Sequence, residues 1–87
     1  MSERELKKIG KISHFFTKIS VAIVELTGSL SVGDTIIVQG STTSLEQKVE
    51  SMQIEHESVK SATAGQSIGL KVKDRVREED IVYKITS

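Results

Sequence analysis

Gly28-Ser29-Leu30-Ser31-Val32-Gly33-Asp34-Thr35-Ile36-Ile37-Val38-Gln39-Gly40 reads as a loop, a strand and a turn. Glycine tolerates positive φ, so Gly33-Asp34 makes a tight approach to the β-branched run that follows, and Gly40 closes that run. Leu30 and Val32 are two residues apart, which points both inward in an extended chain. Gly33 is expected to adopt a conformation that a β-carbon penalises. The stretch specifies structure; it carries no catalytic pattern.

Outward from it, the chain alternates. Residues 9–16 place Ile12, His14 and Phe16 on one face and Lys11, Ser13 and Phe15 on the other, as a first strand does. In 19–26, Ile19, Val21 and Ile23 oppose Ala22, Val24 and Leu26, and apolar side chains on both faces suit a central strand covered on both sides. Leu45, Gln47 and Val49 share one parity and Met52, Ile54 and His56 the other, so a bulge is expected near Glu50-Ser51. Ile68, Leu70 and Val72 alternate with polar neighbours, and Ile81, Tyr83 and Ile85 form the last strand. Six strands without a helical period predict an all-β fold, and the bulge would bend the sheet toward a β-barrel. Residues 1–8, with Glu3, Arg4, Glu5, Lys7 and Lys8, are expected to be a flexible end, and 9–87 one domain.

The 87 residues suffice to bury roughly 60–65% of the surface that the unfolded chain exposes. With no cysteine, disulfides, thiolate metal sites and cysteine nucleophiles are excluded, and a cytoplasmic setting is expected. No apolar run approaches the roughly 18 residues of a membrane span, so no membrane partner is expected. Twelve basic and twelve acidic side chains cancel, which removes the global attraction that non-specific RNA binders show.

Four pieces in order carry a resemblance: Gly28 to Gly40, Gln47-Lys-Val-Glu-Ser-Met52, Ala64-Gly-Gln-Ser-Ile-Gly-Leu70 and Arg77-Glu-Glu-Asp-Ile-Val82. Together they resemble the second domain of translational GTPases such as elongation factor Tu and, more closely, small stand-alone translation elongation factor-like proteins. The resemblance implies a six-stranded Greek-key β-barrel without its GTPase domain. It implies a non-catalytic binding module that docks on a protein partner, the ribosome or RNA. An autonomous RNA-binding barrel and an accessory subunit of an enzyme outside translation are the alternatives. The phosphate-binding loop Gly-x-x-x-x-Gly-Lys-Ser/Thr is missing, so GTP binding by this chain is not expected. The matched positions Gly28, Gly33, Asp34, Gly40, Gly65 and Gly69 belong to the scaffold.

No catalytic, cofactor or metal site is expected. His14 and His56 lack a third ligand or a nucleophile, and the glutamates of Glu55-His56-Glu57 face away from His56 on a strand. Lys71, Lys73, Arg75 and Arg77 are the candidate contacts for RNA phosphate or a partner, although Glu78, Glu79 and Asp80 follow and could neutralise them as a solvated rim. Phe15-Phe16 must put one ring outside on a regular strand unless the end of the barrel covers it; that ring, with Phe15 on the face opposite Ile12, is either a capped core residue or a partner contact.

Overall fold

Apolar alternation becomes strands that share one buried face. The computed structural model describes residues 5–86. Among them are β1 (Leu6–Phe16), β2 (Val21–Leu26), β3 (Leu30–Ser31), β4 (Thr35–Gln39) and β5 (Ser44–Lys48). The rest are β6 (Met52–Ile54), β7 (Glu57–Val59), β8 (Ser61–Ala62), β9 (Ser67–Lys71) and β10 (Ile81–Ile85). Eight strands pair in the order β5-β4-β10-β1-β2-β9-β6-β7, while β3 pairs with β8. All pairs are antiparallel. Ala22, Val24 and Leu26 of β2, Ile36 and Val38 of β4, Ile68 and Leu70 of β9 and Val82 of β10 are buried on the inner face.

The all-β class agrees with the sequence reading; the closed six-stranded barrel does not. Among the described residues no backbone ladder joins the end strands β5 and β7. The sheet curls, and a side chain links β5 to the end of β9 instead: Gln47 Nε2 donates to Lys71 O and Gln47 Oε1 accepts from Lys73 N, both at 2.9 Å. The expected bulge at Glu50-Ser51 is instead a break between β5 and β6, where the chain leaves β4 and pairs with β9. Val49 and Met52 are both buried across it, so the parity switch is real although its mechanism differs.

The bulges lie in β1, with register shifts between Lys8 and Gly10 and between Ile12 and His14. An extra residue flips the alternation that follows. Ile9 and Ile12, three residues apart, are therefore both buried. Leu6, Lys7 and Lys8, read from sequence as part of the flexible end, pair with Ile85, Lys84 and Tyr83 of β10; residues 1–4 of that expected segment lie outside the described residues.

Three turns share one construction. In Ser31-Val32-Gly33-Asp34, Asp34 N donates to Ser31 O at 3.1 Å, while Ser31 N donates to Asp34 Oδ2 at 2.9 Å. Thr63 to Gln66 and Arg77 to Asp80 repeat both bonds, with Gln66 Oε1 and Asp80 Oδ2 accepting. Each third residue has positive φ: +100° at Gly33, +92° at Gly65 and 74° at Glu79. Leu30, paired with Ala62, is buried as expected, but Val32 falls in the turn and is exposed.

Gly33→Val is expected to destabilise by more than about 1 kcal/mol through backbone strain, because the new β-carbon would meet no atom within 4 Å. An unchanged melting temperature would contradict the turn. Glu79→Gly tests the same device in reverse. It should be neutral or stabilise by roughly 0.5 kcal/mol, since relief of a left-handed non-glycine outweighs glycine's entropy. The exposed Lys11–Glu79 pair, 3.6 Å long, offsets little of this. Clear destabilisation of Glu79→Gly in chemical denaturation would show that the pair, not the strain, dominates.

Candidate functional site

The register shift after Ile12 decides which aromatic ring faces out. Phe15 packs partly buried against the core, and Phe16 is 44% exposed. This reverses the expected placement of the two rings. The ring of His14 stands edge-on to Phe16, with centroids 4.5 Å apart, and His14 Nδ1 donates to Glu78 Oε2 at 2.9 Å.

Phe16 pairs with Val21 across the β1–β2 hairpin, and the loop between them carries Ile19, 56% exposed. On β2, Ala22, Val24 and Leu26 fill the core, whereas Val21 and Ile23 lie half-buried on the outer face. The neighbouring strands extend this face: Ile23 pairs with Gly69 of β9, and Gly69 with Gln53 of β6. Gly69 leaves a low floor where a β-carbon would find Val21 no nearer than 3.5 Å. The result is a groove of about 370 Å³ with an apolar wall of Phe16 and Ile19.

Its far wall is the β6–β7 turn. Glu55 and His56 both have positive φ, 50° and 68°, the backbone of a two-residue hairpin turn that normally selects asparagine or glycine. The sequence reading ran a strand through His56 because neither residue announces a turn. His56 thus stands on a groove rim, and His14 is tied to a glutamate.

The candidate basic residues separate only in part: Lys71 and Lys73 line one depression with Gln47, Glu50 and Ser51. Lys71 pairs with Val21 and so flanks the outer apolar face. Lys73 and Arg75 line a shallow depression beside Phe15, Thr17 and Ser20, at the other side of the hairpin loop. Arg77 belongs instead to the turn that docks on β1, where Ile12 N donates to Asp80 O and Glu79 N to Ile12 O. The acidic residues do not form the anticipated rim: Glu78 binds His14, Glu79 meets Lys11, and Asp80 is buried with its carboxylate on Arg77 N. The sequence reading missed Phe16 and Ile19 as contact residues and Asp80 as a buried one, although the two-sided apolarity of residues 19–26 had marked the outer face.

Among the described residues no group of three or more His, Cys, Asp or Glu is arranged to hold a metal ion, and no helix is long and apolar enough to cross a membrane. What the surface offers is apolar contact edged with charge, suited to holding a polypeptide or a neighbouring domain.

No family model matches the chain. It is 46% identical over 77 residues to an uncharacterised protease of Methanocaldococcus jannaschii, covering 87% of this chain and 19% of that protein. It is 39% identical over 83 residues to a collagenase of Porphyromonas gingivalis, covering 93% of this chain and 23% of the collagenase. The chain therefore spans about a fifth of the length of these curated relatives. Its fold is similar to the C-terminal domain of a Geobacillus thermoleovorans U32 peptidase, with TM-score 0.85, 18% identity and coverage of 92% of this chain and 93% of that one. The selenomethionine variant of that domain gives TM-score 0.83 at 18% identity, covering 87% of this chain and 96% of its own. These relatives overturn the translation elongation factor-like assignment and the expectation of a non-catalytic translation module: the similar chains are named protease and collagenase.

Proposed function

We propose that this chain is the β-domain of a U32-type peptidase and that it contributes a polypeptide-engaging surface, the outer face of the β1–β2 hairpin with its flanking Lys71. The observation that carries this reading is the 46% identity to the M. jannaschii protease across 87% of the chain, since a match of that extent includes loops and surface as well as core. The exposed Phe16 and Ile19 support it, because large apolar side chains grouped on one face mark contact surfaces.

The test is a chimera in which this chain replaces the matching fifth of the P. gingivalis collagenase. Cleavage of soluble collagen by the chimera should approach that of the parent, while a protein lacking the segment, or carrying an unrelated β-domain there, should be impaired. A folded chimera no better than the deletion would refute the proposal.

A further inference from the structure

Building on that reading, we infer that the groove between Phe16-Ile19 and Glu55-His56 is the seat of the larger part of the same peptidase polypeptide, a permanent contact between domains. Three observations converge on this occupant.

The chain accounts for 19% and 23% of the relatives' lengths, so in such proteins about four-fifths of the polypeptide is available to pack on a unit of this kind. Second, β2 is apolar on both faces although the core formed by the described residues lies on one of them: Val21 and Ile23 face out beside exposed Phe16 and Ile19. A sheet bearing Val21 and Ile23 of β2 and Phe16 of β1 on its outer face is suited to a second layer. Third, the groove is shaped to receive side chains. Gly69 deepens its floor, its volume of about 370 Å³ lies near the lower end of the roughly 300–1,000 Å³ of ligand clefts, and Glu55 and Lys71 supply both signs of charge at its margin. A substrate must arrive and leave, and surfaces that do this are more polar than permanent ones. The predominantly apolar make-up of this face therefore favours the resident polypeptide over the transient one.

Hydroxyl-radical footprinting tests the inference without introducing a label. The chain alone is compared with a chimera in which it replaces the matching fifth of the M. jannaschii protease. Oxidation of Phe16 is expected to fall at least fivefold in the chimera, with Tyr83 as the reference ring. Gly69→Leu fills the floor and should return Phe16 oxidation in the chimera to the level of the free domain. The same substitution should leave the melting temperature of the free domain nearly unchanged, because its β-carbon meets neighbours only at ordinary contact distance.

Equal oxidation of Phe16 in both proteins would overturn the inference. Protection appearing only when collagen is added would assign the groove to substrate, and concentration-dependent protection of the free chain would assign it to a second copy; either result also overturns it. An inactive chimera with Phe16 protected would count against the proposed function and leave the domain contact standing.

Discussion

Gly10→Ala is expected to destabilise the domain by about 2–3 kcal/mol, a loss of roughly 10–20 °C in melting temperature for a chain of this size. Gly10 sits in β1 between the two register shifts and pairs with both Leu26 and Val82. A β-carbon there would lie 2.6 Å from the backbone O of Glu25 and 2.9 Å from a methyl group of Val24. The first neighbour is main chain held in the β1–β2 ladder and cannot swing away, so the strands must part or the bulge must shift. Thermal unfolding followed by circular dichroism measures the effect. A variant melting within about 2 °C of wild type would show that β1 and β2 are not packed this closely, since that shift corresponds to less than about 0.5 kcal/mol.

Gly40→Ala should cost about 2 kcal/mol for a different reason. Its β-carbon would overlap Asp80 Oδ1 and stand 2.7 Å from Asp80 Cγ. Asp80 is 5% exposed and its carboxylate holds Arg77 N, so the side chain has no free space into which to withdraw. Asp80→Ala alone is expected to destabilise by roughly 1–2 kcal/mol through loss of that bond and the turn it closes. The pair should not add: with Asp80 already removed, Gly40→Ala has nothing to strike. The double variant is expected to be more stable than the sum of the singles by at least about 1 kcal/mol. Strict additivity in denaturant titrations would exclude direct contact between these positions.

Much of the fold was legible because alternation and turn chemistry are local. Ser-Val-Gly-Asp and Thr-Ala-Gly-Gln announce turns through a glycine followed by a side-chain acceptor, and the strands around them follow from period two. Arg-Glu-Glu-Asp makes the same turn without glycine, so Asp80 read as one more solvated carboxylate when it is a buried acceptor. The β1 bulges carry no comparable signal: nothing in Lys-Ile-Ser-His-Phe-Phe marks the shift after Ile12, and strict alternation therefore exchanged Phe15 and Phe16. Closure into a barrel was misjudged because it depends on backbone pairing between the sheet's ends, and near the break at Val49 to Ser51 a side chain, Gln47, links β5 to the end of β9 instead. The functional misreading has the same root. The motifs matched to translation factors include these turns with their adjoining strands, and such devices specify a curled sheet whatever activity the parent protein performs. The site itself was half visible: the outer apolar row of β2 was seen, but a covered strand was expected where the domain leaves a groove.

On the function proposed above, the outer face of the β1–β2 hairpin is what this domain contributes to a peptidase. The most direct test of that proposal is collagen cleavage by the P. gingivalis chimera carrying Phe16→Ser and Ile19→Ser together. Both side chains are 44% and 56% exposed, so the pair should leave the melting temperature of the free domain within a few degrees of wild type. Cleavage by the chimera should fall at least tenfold, which corresponds to about 1.4 kcal/mol of lost interaction. Undiminished cleavage by a folded double variant would contradict the account.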